Sequence, residues 1–204
     1  MCNRWAVVVT VGVDVGGAAK GFDVCVADGA EVLELVSGCT VDAVVALVNA
    51  HSARAAGIDS PDSCAAPGEK SRPGERQLAR ELCPIFYTPE EIVVRSGHPF
   101  YGWMCEGLDL YEALAEEQPA TERVEVFPSA AWTVWAGKRN GRPKSRWSRL
   151  ALERVGVRGL PRRCSQDARD AVGAALVAGL FLSGETVSYG GIAVPRAGSV
   201  ALTG

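Results

Sequence analysis

The chain has 204 residues, 48% hydrophobic and 22% charged. This suffices for one substantial core and excludes a disordered or fibrous chain. Twenty-one Lys and Arg against 24 Asp and Glu give a net charge of −3, which excludes a wholly basic, histone-like nucleic-acid binder but leaves room for a local basic surface.

Three strand signals open the chain. Val7 to Val15 is an almost unbroken Val/Gly run, Gly21 to Ala27 follows, and Glu31 to Val36 is third. Gly16-Gly17 and Asp28-Gly29 punctuate them, and turns this short force antiparallel neighbours. Val41 to Ala53 carries a helical stripe of Val41, Val44, Val45, Leu47 and Val48. Ala55 to Asp59 then reads as a short buried strand, and the helix before it lets this strand return parallel. Ser60 to Pro73, rich in Pro, Gly and Ser, is a loop. Helices are predicted over Glu75–Leu82 and Tyr101–Glu117, and a strand over Arg123–Phe127 that stops at Pro128. Further helices are expected at about Ala130–Ala136, Lys144–Val155 and Ser165–Leu182, with a last strand or hairpin over Thr186–Val194. The fold class is therefore α/β, a mixed sheet of three antiparallel strands followed by parallel ones, flanked by helices. No linker composition divides it, so residues 1–204 are expected to form a single domain.

Seven cysteines, an odd number with no two closer than 14 positions, exclude complete internal pairing and any zinc-ligand spacing. Reduced thiols and a cytoplasmic location are expected. The N-terminal apolar run lacks a cleavage region, and the run from Ala171 to Leu182 is only 12 residues long, against the roughly 20 that a membrane helix needs.

Chemistry is carried by a few acids. Asp14 sits in the first strand and points away from Val13 and Val15. A carboxylate there is costly unless paired, hydrogen-bonded or metal-bound; alternatively it caps the Gly16-Gly17 turn. Asp59 ends the fourth strand, where an Asx turn before Ser60-Pro61 competes with a ligand role. Glu125 alternates with Val124 and Val126 near a strand end, on a solvated or a functional face. Ser165 suits an N-cap, which places Asp167 in the first turn, favoured there by the helix dipole. Asp170 shares a face with Gly173, Ala174, Val177 and Phe181, and burial on that face leaves it without a structural reason. Acids at strand ends and one helix start suit oxygen ligation of Mg²⁺ or Mn²⁺. Two such ions about 4 Å apart would serve phosphodiester hydrolysis. With only His51 and His98 available, neither well placed, zinc and copper are disfavoured.

Lys138 to Arg163 holds ten basic residues and a single acid, Glu153, a local charge of +9 that leaves −12 for the remainder. Lys138, Arg142, Lys144, Arg146 and Arg149 are candidate phosphate contacts, with Trp147 placed to stack on a base. A solvated helix balancing an acidic surface is the plainer alternative, since Arg outnumbers Lys 17 to 4 throughout. Nucleic acid, DNA or RNA, is the expected partner.

The order and spacing of Val13-Asp14, Ile58-Asp59-Ser60-Pro61, Arg72 through Glu81, Glu125-Val126-Phe127-Pro128 and Asp167 through Ala171 resemble the ribonuclease H-like superfamily. The Asp-x-x-Asp pair is similar to that of its Holliday-junction-resolvase branch. More closely, the chain resembles an uncharacterised bacterial and archaeal family of predicted ribonuclease H-like nucleases, over Val11 to about Pro195. The resemblance implies a metal site of Asp14, Asp59 or Glu125, Asp167 and Asp170, and a metal-dependent nuclease activity. Fold alone does not establish activity, so a non-catalytic nucleic-acid- or protein-binding domain of this fold is the competing reading. An actin-like or sugar-kinase relative is disfavoured by length, and no phosphate-loop motif is matched at Gly16 to Gly21.

Overall fold

The computed structural model describes residues 8–199. The start of the first predicted strand, Val7, and Cys2 lie outside them. The element order is β1 (Val9–Asp14), β2 (Phe22–Asp28), β3 (Glu31–Cys39), α1 (Val41–Ala50), β4 (Ala55–Asp59), α2 (Pro73–Glu81), α3 (Glu91–Val94), α4 (Gly102–Glu117), β5 (Glu122–Glu125), α5 (Pro128–Ala136), α6 (Lys144–Arg154), α7 (Gln166–Leu182), β6 (Thr186–Tyr189) and β7 (Ile192–Pro195). A 3₁₀ turn over Pro99–Tyr101 leads into α4. The expected elements are all present; the four-residue α3 and the 3₁₀ turn are too short to leave a periodic signal.

Five strands form one sheet in the order β3-β2-β1-β4-β5. β1 to β3 are antiparallel neighbours, while β4 and β5 run parallel to β1. This is the mixed sheet of three antiparallel strands followed by parallel ones that the turn lengths predict. β6 and β7 make a separate hairpin. Among the described residues no helix is long and apolar enough to cross a membrane, and Cys25, Cys39, Cys64, Cys83, Cys105 and Cys164 are free.

Strand alternation assigns each face of the sheet its own core. Val11, Val13, Val24, Val26 and Ile58 pack with Val44 and Val48 of α1 and Leu110 and Leu114 of α4. Cys25, Ala27, Ala55 and Val124 face the other way, onto α7 and the α5 and α6 pair behind it. The approach of α7 is unusually close. A Cβ on Gly12 would meet Ala171 O at 2.0 Å, and one on Gly57 would meet Ala174 O at 2.2 Å. Gly12 and Gly57 are neighbours across β1 and β4, and opposite them α7 presents Ala171, Ala174, Ala175 and Ala178. Small residues on both sides bring helix backbone against sheet, and the buried Thr10 hydroxyl donates to Ala175 O at 2.9 Å. The docking of α7 fixes where its first turns stand over the strand ends.

Candidate metal centre and its cationic flank

Two residues beyond Gly12 on the same strand face comes Asp14, and two beyond Gly57 comes Asp59. The register pairs Asp14 with Asp59 of β4 on one side and with Asp23 of β2 on the other. Three aspartates thus stand in one row across three strands, on the face that α7 covers. Asp167 and Asp170, in the first two turns of α7, complete the group.

Each acid has its own surroundings. Asp170 is 1% exposed; its Oδ1 accepts from Trp132 Nε1 at 3.0 Å and Gln166 Nε2 at 2.9 Å, and its Oδ2 from Lys144 Nζ at 2.8 Å. It does have structural partners, contrary to the sequence-based expectation: Gln166 is its i,i+4 neighbour on α7, while Trp132 and Lys144 lie on α5 and α6, where helical spacing could not disclose them. Asp167 follows the Ser165 cap, whose hydroxyl accepts from Ala168 N at 2.9 Å. Its carboxylate pairs with Lys20 Nζ at 2.9 Å. Asp14 also meets Lys20, at 3.4 Å. Burial, and next the repulsion of Asp170, push the Asp14 carboxyl up to about 7, with Lys20 opposing. Asp59 has no hydrogen-bond or ion-pair partner among the described residues; burial and the charges of Asp14 and Asp170 raise its pKa well above the usual carboxylate range. Asp23 takes a hydrogen bond from Ser37 Oγ at 2.5 Å. Oxygens of Asp14, Asp23 and Asp167 lie within 4.8 Å of one another. Burial would lower the pKa of Lys20 and Lys144, but the surrounding carboxylates outweigh it and hold both ammonium groups charged.

Glu125 stands apart. It pairs with Ile58 across β4 and β5, so it shares the face of Ile58, away from α7. There it takes two bonds from the Arg72 guanidinium, one of them NH1 to Oε2 at 2.7 Å, and a third from Asp62 N at 3.2 Å. Arg72 also donates to Glu75 at 2.9 Å and Asp62 at 3.1 Å. This buried network ties the loop after Asp59 to α2 and β5. Burial raises the Glu125 carboxyl to about 7 against the pull of Arg72. Of the candidate acids, Asp14, Asp59, Asp167 and Asp170 are brought together, and Glu125 serves Arg72 on the opposite face.

The basic segment forms a flank. Lys144, the first residue of α6, reaches Asp170, while Lys138, Arg146 and Arg149 are exposed. Arg146 and Arg149, three apart on α6, and Arg142 from the loop before it line a groove of about 760 Å³. The loop before α6 is stapled by its own arginines, Arg142 Nε donating to Arg139 O at 3.0 Å and Arg139 Nε to Arg142 O at 2.7 Å. Trp147 corrects an expectation. It is 4% exposed, and its indole N–H donates to Gly137 O at 2.8 Å. It is a core residue, unavailable to stack on a base.

Sequence reasoning missed Lys20, Asp23, Trp132 and Gln166. Two of them left a usable signal: the register of a hairpin across Gly16 to Gly21 places Asp23 opposite Asp14, and the i,i+4 spacing on the predicted last helix places Gln166 beside Asp170.

A profile of the family described as "Protein of unknown function (DUF429)" matches residues 12–192. The chain belongs to that family. Membership bears out the family resemblance, and the match spans every acid named above. Comparison with curated proteins gives no match. Among solved structures, the chain is similar to Thermus thermophilus RuvC, at 16% identity and a TM-score of 0.49 over 92% of this chain and 99% of that one. It is likewise similar to T. thermophilus RuvC in complex with a Holliday junction substrate, at 16% identity and a TM-score of 0.47 over 93% and 99%.

Proposed function

We propose that this family member is a divalent-metal-dependent nuclease, a single-domain cytoplasmic enzyme that hydrolyses phosphodiester bonds of DNA or RNA. One observation carries the reading: Asp14 and Asp59 stand side by side in register at the ends of adjacent parallel strands, with Asp170 of α7 over them. Five carboxyl groups gather there against two ammonium groups, and that excess asks for further cations. The donor set is all oxygen and fits Mg²⁺ or Mn²⁺. Asp14, Asp59 and Asp170 are the residues assigned to hold one such ion, with Asp167 beside Asp14 for a second. When bound, two ions supply activation of a water and stabilisation of the leaving oxygen.

The chain's own residues do the rest. Burial raises the carboxyl pKa values of Asp14 and Asp59, so a bound ion, which takes their ionised form, would load more readily as pH rises. Trp132 and Gln166 fix the rotamer of Asp170 through its Oδ1 and leave Oδ2 to exchange Lys144 for another cation. Arg146 and Arg149 bind phosphates along α6, with Arg142 beside them in the preceding loop, and Lys144 carries that charge to the carboxylates.

The competing reading, a non-catalytic nucleic-acid-binding domain of the same fold, is favoured by one observation. Lys20 and Lys144 already neutralise part of the cluster. The experiment that separates the two is cleavage of structured DNA and RNA with Mg²⁺ or Mn²⁺. Wild-type protein is expected to cut, and D14N, D59N and D170N to lose at least about a hundredfold in rate while staying folded. Rates unchanged in D14N and D170N would sink the mechanism, and binding without cutting would select the competing reading.

A further inference from the structure

Lys20 stands where a free cation would. Its Nζ lies 2.9 Å from Asp167, 3.4 Å from Asp14 and 3.8 Å from Asp23. The same three carboxylates offer oxygens within 4.8 Å of one another. An oxygen set that small holds one cation at a time, an ammonium or a hard divalent ion.

The tether of this ammonium is loose. Lys20 sits on the turn between β1 and β2, with Gly16, Gly17 and Gly21 around it, and its backbone N–H donates to Gly17 O at 2.8 Å. Nothing lies within 4 Å of a Cβ built on Gly17. The Lys20 side chain is 47% exposed and flexible through four methylenes, so the ammonium can reach solvent without moving a strand. Lys144 is anchored differently. It projects from the first turn of α6 behind Pro143 and pairs with Asp170 alone.

We propose that Lys20 is a built-in competitor for the cation position formed by Asp14, Asp23 and Asp167. Its ammonium neutralises these carboxylates in the ion-free protein and leaves for solvent when a divalent ion loads. The inference rests on the reading of the cleft as a divalent-ion site. It adds Asp23 to the ligands and makes loading at this position an exchange of one cation for another, in which no bond is made or broken covalently.

Two measurements on the full chain test it. Mn²⁺ titrations followed by electron paramagnetic resonance compare wild type with K20M, K20R and D23N. K20M is expected to bind the weaker Mn²⁺ about tenfold more tightly, K20R to stay at the wild-type value, and D23N to bind it more weakly. Separately, limited acylation of wild-type amines is read by mass spectrometry. Lys20 is expected to react several-fold faster with saturating Mg²⁺ than with a chelator, and exposed Lys138 equally in both. If wild type binds Mn²⁺ but K20M binds it no tighter, or if Lys20 acylation is indifferent to Mg²⁺, the competitor role is overturned while the ion site stands. Absence of Mn²⁺ binding in wild type and K20M alike would remove the ion-site reading and this inference with it. Should K20M fail to fold, acylation of the wild-type protein decides.

Discussion

Near pH 7 the carboxyl of Asp14 is about half protonated, since burial and Asp170 hold its pKa at about 7. An unfolded aspartate has lost its proton by about pH 4. Between these values the folded protein binds a proton that the unfolded chain does not, so stability falls as pH rises through that window. A shift of about three units corresponds to roughly 4 kcal/mol at most. In a chelator, wild type is therefore expected to lose stability relative to D14N as pH rises from 4 to 7, measured by urea unfolding. Saturating Mg²⁺ should remove most of that difference, because an ion takes the ionised form. Parallel pH profiles for the two proteins would mean that Asp14 titrates as an ordinary carboxylate. Asp14 was legible in the sequence for the reason given by its energetics: an acid inside a Val/Gly strand demands an explanation. Two partners of Asp170, Trp132 and Lys144, were not, because they reach it from other helices, 38 and 26 residues away.

At the scale of elements, the site depends on how closely α7 lies on the sheet. Gly12→Ala would drive a methyl into Ala171 O and Ala175 N, both backbone atoms that cannot turn aside. We expect this substitution to cost at least about 2 kcal/mol in a chemical melt and to weaken Mn²⁺ binding by displacing Asp170. Gly17→Ala, with open space around it, should do neither. Equal stability for both variants would refute the close-approach account. Much of this level was readable: turn lengths fixed which strands run antiparallel, and apolar periodicity located the helices. Two details were hidden. The face of Glu125 depends on its register against Ile58, which no local pattern reveals. Trp147 looked like an aromatic among charges, yet Trp147, Ala151, Leu152 and Val155 make an apolar stripe, and the stripe was the better guide.

Over the whole molecule, charge is sorted rather than balanced. The +9 of residues 138–163 is set against −12 elsewhere, and α6 carries it to the edge of the acidic cleft through the Lys144–Asp170 pair. A nucleic acid bound along α6 would release counterions with each phosphate contacted. R146E/R149E should weaken binding to every sequence alike and lower the slope of log K against log salt by about 2, measured by fluorescence anisotropy. A loss confined to particular sequences would instead point to base readout. Trp147→Ala, by contrast, should act through stability, since that side chain is enclosed.

The close packing of α7 on β1 also sets an order of events during synthesis. The Thr10–Ala175 hydrogen bond spans 165 residues, so the strand row of Asp14, Asp23 and Asp59 is made long before the helix that completes it. A nascent chain can pair its first strands, but it holds an open, uncovered row of acids until residues 166–182 have emerged and docked. The centre therefore cannot be completed before α7 is synthesised, and a chain that stops short of it carries Asp14, Asp23 and Asp59 but neither Asp167 nor Asp170.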